Sequence, residues 1–136
     1  MKKNLINKTL KYLAWLLVPL FMCINKHYVR KVYGSTEGYD RSLAYSLDCW
    51  GNKEFRTGLN SLMLTPESKH HFGNINESIS SVFGKNKRDG TLSKRGVSWA
   101  NRLDKIDTNH CLKSINNEVS YQDKDFELIM NKNYKS

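Results

Sequence analysis

The run Tyr12-Leu13-Ala14-Trp15-Leu16-Leu17-Val18-Pro19-Leu20-Phe21-Met22-Cys23-Ile24 carries no charged side chain, and both of its flanks are basic. Its reading as helix sets the architecture. Ile6, Leu10, Leu13, Leu17, Leu20, Ile24 and Tyr28 recur at steps of three and four, the spacing of one helical face. Lys3, Lys8, Lys11 and Trp15 lie largely off that stripe.

Of the 22 basic side chains, Lys2, Lys3, Lys8, Lys11, Lys26, Arg30 and Lys31 precede residue 34, where no carboxylate occurs. The rest of the chain sets 15 basic against 13 acidic residues and is nearly balanced. An excess charge this local points to an anionic membrane surface rather than to nucleic acid, which needs a basic footprint on the folded domain. Membrane contact is expected from Leu10, Leu13, Trp15 and Leu17, and further along from Leu20, Phe21 and Ile24.

Three forms of that contact stay open. A secretory signal needs a small-residue cleavage site, but Asn25-Lys26-His27-Tyr28 follows the run, and Met22 precedes Cys23 where a lipoprotein signal has a small residue. A spanning helix takes about 20 apolar residues, more than this run supplies, and Pro19 interrupts it. Lys8 and Lys11 on one side and Lys26, Arg30 and Lys31 on the other do not select an orientation. An in-plane amphipathic helix at the headgroup boundary fits the stripe and its basic edges. The plain alternative is a helix that packs on the domain's own core.

With 136 residues and 39% hydrophobic content, the chain holds one further small domain. The expected class is all-α, with an apolar basic segment over 1–33, a linker over 34–38, a helical domain over 39–116 and a polar tail over 117–136. Tyr39, Leu43, Ser46, Leu47 and Trp50 fit one helical face, and Phe55, Leu59, Leu62 and Met63 a second, with Gly51 as the break and Thr65-Pro66 as the stop. Asn76 reads as an N-cap, with Glu77 in the first turn, Ile79, Val82 and Phe83 inside and Gly84 just past the end. Lys85, Lys87, Arg88, Lys94 and Arg95 then make an exposed basic loop around Asp89-Gly90. Val97, Ala100, Leu103 and Ile106 form another face, and Thr108 is placed to cap a last helix through Ile115. Only Phe126 to Met130 is apolar beyond Asn116.

No complete catalytic motif is present. His110-Cys111 brings together two versatile side chains, but adjacent helical residues diverge by about 100 degrees. No C-x-x-C or H-x-x-x-H spacing supplies further ligands, so neither a metal nor a cofactor is expected. Ser78, Ser80 and Ser81 beside Glu77 lack the G-x-S-x-G context of a nucleophile. Cys23, Cys49 and Cys111 read as free thiols.

Asp48 and Asn52 form D-x-x-x-N, Gly73 with Glu77-Ser78-Ile79-Ser80 forms G-x-x-x-E-[ST]-[IL]-S, and His110-Cys111 follows late. This order resembles a group of small proteins of tailed phages and prophages with the pattern L-D-x-x-x-N, G-G-x-x-[DN]-E-T-[IL]-S, a helix, and D-x-x-H-C. The resemblance covers Leu43 to Ile115, with an inserted stretch around Phe55 to Phe72 and a single Gly73 where a glycine pair is usual. It implies a phage or prophage origin and supplies no reaction; with the basic apolar N-terminal segment, the expected location is the host inner membrane. It favours convergence of Asp48, Asn52, Glu77, Ser80, His110 and Cys111 into one polar cluster. The leading expectation is a membrane-associated, non-enzymatic small protein with a cytoplasmic helical domain that contacts another protein. The alternative is a small hydrolase or metal-dependent enzyme using His110 with Glu77, Asp48 or Cys111.

Overall fold

The computed structural model describes residues 2–134, with side chains at 3–132. The side chain of Lys2 of the basic set and the last two residues of the 117–136 segment lie outside that description. Among the described residues the chain forms seven helices and no strand, so the class is all-α. They are α1 (Lys2–Tyr33), α2 (Glu37–Glu54), α3 (Arg56–Met63), α4 (Ile79–Asp89), α5 (Lys94–Ile106), α6 (His110–Lys113) and α7 (Phe126–Tyr134).

The chain divides into two units, Met1–Leu43 and Ala44–Ser136. In the first, α1 continues through Pro19 and ends with Arg30 and Lys31 in its last turn, where cations suit the helix dipole. Gly34, at φ 74, donates its N–H to the Arg30 carbonyl at 2.9 Å and closes the helix. No residue from 3 to 33 is buried. Lys3–Tyr33 is long and apolar enough, by length and composition, to cross a membrane. The expected linker is shorter than its sequence implies, because α2 begins at Glu37 and takes in Gly38. Lys26 binds the Asp40 carboxylate at 2.8 Å within this unit.

The second unit is built around α4, with α5 and α6 packed on it and α3 packed on α5 and α7. Its core joins Leu64, Phe72, Val82, Phe83, Leu92 and Ala100 to Cys111, Phe126 and Met130. Part of the polar segment expected over 117–136 packs on the domain. The Tyr121 carbonyl accepts the His71 N–H at 3.0 Å, and α7 buries Phe126 and Met130. A single antiparallel bridge between Leu64 and Leu92 ties the end of α3 to the start of α5.

Two glycines mark helix contacts rather than breaks. A Cβ at Gly84 would stand 2.0 Å from the Cys111 carbonyl oxygen, and one at Gly96 would stand 2.2 Å from that of Met63. Gly84 is therefore inside α4, where it lets α6 approach, and the helix ends instead at Gly90 with φ 70. Gly51 likewise stays within α2, and the break falls at Phe55. The cap of α4 is Ser78, whose Oγ accepts the Ser81 N–H at 3.1 Å, while Asn76 sits in a turn held by the Asn74 side chain. Asn109 in the left-handed region, not Thr108, precedes α6, which is only one turn long.

The expected apolar faces are only partly the buried ones. Leu47 and Trp50 of α2 and Val97 and Ile106 of α5 are exposed, while Cys49, Gly51 and Asn52 face inward from α2, and Gly96 and Ala100 from α5. Polar side chains fill the difference. Asn52 accepts the Gly73 N–H at 2.9 Å and donates to the carbonyls of Asn74 and Glu77 at 3.1 and 2.7 Å. Asn60 accepts the Phe72 N–H at 2.7 Å and returns a bond to the Phe72 carbonyl at 3.0 Å. Asn86 donates to the His70 carbonyl at 2.7 Å and accepts from the hydroxyls of Ser68 and Thr91. Three amides, all fully buried, thus satisfy a loop backbone that no sheet or helix pairs.

A candidate polar site around Ser80 and His110

Asp48 projects from α2 toward the start of α4. Its Oδ1 accepts the Ile79 N–H at 3.2 Å, and its Oδ2 lies 3.1 Å from the Ser80 hydroxyl. Ser80 Oγ lies 3.2 Å from His110 Nε2, and His110 Nδ1 lies 3.3 Å from Asp107 Oδ2. Lys113 reaches the other Asp107 oxygen at 3.2 Å. The bond from Lys113, followed by that from His110, holds the Asp107 carboxyl below the usual carboxylate range. The result is an unbroken row of polar groups, from Asp48 through Ser80 and His110 to Asp107 and Lys113.

Of the six residues expected to converge, only Asp48, Ser80 and His110 do so. Asn52 is engaged in the loop contacts described above. Glu77, directly before the Ser78 cap, points inward to a separate cluster. Its carboxylate accepts the Ser81 hydroxyl at 2.6 Å and pairs with Lys85 at 2.5 Å, both partners being about 98% buried. Lys85 also donates to the Val119 carbonyl, and Ser81 Oγ accepts the Asn116 N–H at 2.9 Å. Cys111 faces the core, with Sγ 3.7 Å from the Ala100 carbonyl. Burial, aided by nearby Asp104, pushes its thiol pKa up to about 12, which removes thiolate chemistry at neutral pH.

The expected basic loop is a correction. Lys85, Lys87 and Arg88 belong to α4, while Lys94 and Arg95 open α5. Lys85 is an interior cation, and Lys87 pairs with Asp104. Arg88 is bound to Asp89 at 2.8 Å. Lys94 and Arg95 are exposed, as expected. Gly90 caps α4 at φ 70 instead of turning the middle of a loop, which puts Lys85, Lys87 and Arg88 on the helix.

The sequence does not single out Asp107, and it places Lys85 in an exposed loop rather than in the interior. Asp107 stands three residues before His110, a spacing that places two side chains on one helical side. The D-x-x-H-C element of the phage group contains that same spacing, so a signal for Asp107 was present. No local signal marks Lys85, because burial of a lysine depends on a partner from elsewhere in the fold.

A serine, a histidine and an aspartate in hydrogen-bonded order are the parts of a nucleophilic triad. Here the order is opposed by Asp48. Its carboxylate competes with His110 for the one Ser80 proton, and a negative charge beside the Ser80 oxygen opposes the build-up of further negative charge there. Ser80 is also buried, at 5% exposure. Two surface hollows, one lined by Asn86, Leu92 and Val97 and the other by Leu62, Leu64 and Met130, include none of these groups. Among the described residues no three His, Cys, Asp or Glu side chains gather in a way that would hold a metal ion. The arrangement joins α2, α4 and α6 and is chemically self-satisfied. Comparison of the chain with protein-family models, with curated proteins and with solved structures finds no match.

Proposed function

We propose that this chain is a membrane-associated small protein of phage or prophage origin whose helical domain acts by contact with another protein, at the cytoplasmic face of the host inner membrane. The observation that carries the reading is the exposure of α1, where Leu10, Leu16 and Phe21 are 57%, 70% and 61% accessible. Burial of each such side chain is worth about 1.5–3 kcal/mol, so a helix bearing this many exposed ones gains strongly from an apolar phase. Its flanking lysines and arginines suit an anionic headgroup layer. The phage origin rests on the ordered resemblance from Asp48 to Cys111.

Cell fractionation of the full chain and of a variant lacking residues 2–33 tests this. The full chain is expected in the membrane fraction and the truncated chain in the soluble one. A soluble full chain, or a truncation without effect, would sink the proposal, and so would loss of the N-terminal residues on mass analysis.

The hydrolase alternative draws on the Ser80, His110 and Asp107 distances. The Asp48 carboxylate and the burial of Ser80 weigh against it. Covalent labelling of Ser80 by a fluorophosphonate, absent in His110→Ala, would reinstate it.

A further inference from the structure

Arg95, Trp99, Arg102 and Ile106 follow one another at steps of four, three and four along α5 and therefore share a stripe of its surface. All four are exposed, Ile106 at 83% and Trp99 at 48%. The Arg102 guanidinium sits 5.0 Å from the Trp99 ring centroid. Lys94 and Lys105 extend the charge along the same outward side. The carboxylate of α5, Asp104, is turned away into its bonds with Lys87 and the Cys111 N–H. The exposed side of α5 is thus cationic and aromatic without an acidic residue.

Beside this stripe lies an open hollow of about 310 Å³ lined by the apolar Leu62, Leu64 and Met130 and by Ser93, Lys94 and Arg95. Apolar and cationic lining together suit a ligand with an acidic head and a hydrocarbon body. Tryptophan and arginine side by side are the pair favoured at the boundary between headgroups and acyl chains.

We propose that this α5 face is a second lipid-contact surface, which docks the domain on the anionic leaflet that α1 enters. The inference rests on the membrane reading of α1. Charge complementarity selects the occupant, and tethering through α1 supplies the concentration, since a domain held to a bilayer meets its surface as an intramolecular event. Each basic side chain near an anionic leaflet favours docking roughly fivefold, and the attraction fades within a Debye length as salt rises.

The test uses the full chain with one tryptophan at a time, Trp99 in the Trp15→Phe/Trp50→Phe background and Trp15 in the Trp50→Phe/Trp99→Phe background, with helicity checked by circular dichroism. Vesicles of phosphatidylcholine alone, or mixed with phosphatidylglycerol, carry brominated acyl chains as a quencher, and acrylamide probes from the water side. Trp15 is expected to be quenched by lipid in both vesicle types. Trp99 is expected to be lipid-quenched and shielded from acrylamide in the anionic vesicles only, with the effect lost at high salt. Arg95→Gln/Arg102→Gln is expected to weaken Trp99 docking roughly 25-fold while leaving Trp15 unchanged. A Trp99 that stays open to acrylamide on anionic vesicles while Trp15 is quenched overturns the α5 inference alone. Failure of Trp15 quenching overturns it together with the membrane reading. Shielding of Trp99 by an oligonucleotide or an acidic peptide, and not by anionic vesicles, also overturns it.

Discussion

The first 33 residues and the domain beyond them place their apolar side chains in opposite ways. In α1 most of the large apolar residues are exposed and, from residue 3 on, none is buried. In the unit Ala44–Ser136 the buried apolar set is small, and Asn52, Asn60, Asn86, Glu77 and Lys85 lie as deep as Leu64 or Phe72. Hydrophobicity in this chain therefore stays largely at the surface in one region, while the other relies on satisfied polar groups to fix its geometry. A core of that second kind gains less from burial area and depends more on every partner being present.

That dependence predicts the largest effect. Lys85→Met takes the cationic partner from the buried Glu77 carboxyl and strips the donor from the Val119 carbonyl, so a loss of about 3–5 kcal/mol is expected in chemical denaturation. Glu77→Leu/Lys85→Met, which removes both charges, is expected to recover much of it. If Lys85→Met unfolds like the parent, the domain does not depend on its polar interior. Next in size, Asn86→Ala removes the amide that joins the 65–78 loop to α4, at an expected cost of about 2–3 kcal/mol because several buried groups lose partners together. Asn60→Ala belongs in the same range.

A smaller effect concerns pH. His71 Nε2 lies 3.0 Å from the Ser68 carbonyl and can only donate to it, so Nδ1 is the acceptor of the Asp123 N–H at 2.7 Å. The ring is stacked on Phe126 at 3.9 Å. Burial lowers its pKa from an ordinary 6.5. A folded-state value below the unfolded one means that this stability is present in full above pH 6.5 and is lost as the pH falls through the folded value. Thermal unfolding followed from pH 7.5 downward is expected to show the decline, and His71→Gln to flatten it. The loss should begin with α7, because protonation breaks the bond to Asp123 three residues before Phe126.

Helix class and approximate number were legible, since the steps of three and four in α3 and α5 survive into the fold. Which face turns inward was not. Ile106 has the right period but is the most exposed of the large apolar residues in α5, because the buried side of the helix runs through Gly96, whose backbone packs against Met63, and Ala100. Glycine explains the other errors as well. Gly51 and Gly84 look like breaks in a single sequence, and only a three-dimensional neighbour shows that they permit contact. In the site, Asp48, Ser80 and His110 were legible as an ordered set, whereas Glu77 was drawn to Lys85, a residue whose charge suggested solvent.

The smallest expected change is the one that most directly separates the two regions. Leu16→Lys/Phe21→Lys places two charges in the exposed middle of α1 and touches none of the side chains that form the domain core. Surface substitutions of this kind shift stability by about 0.5 kcal/mol or less, so the domain's unfolding midpoint should stay where it is. Membrane recovery, in contrast, should fall sharply, since each central lysine opposes insertion by about 2.5–3.5 kcal/mol. A variant that loses the membrane and keeps its fold would show that the apolar residues of α1 act on location alone. If the midpoint drops as well, α1 supports the fold, and its exposure in the isolated chain is not what sets its role.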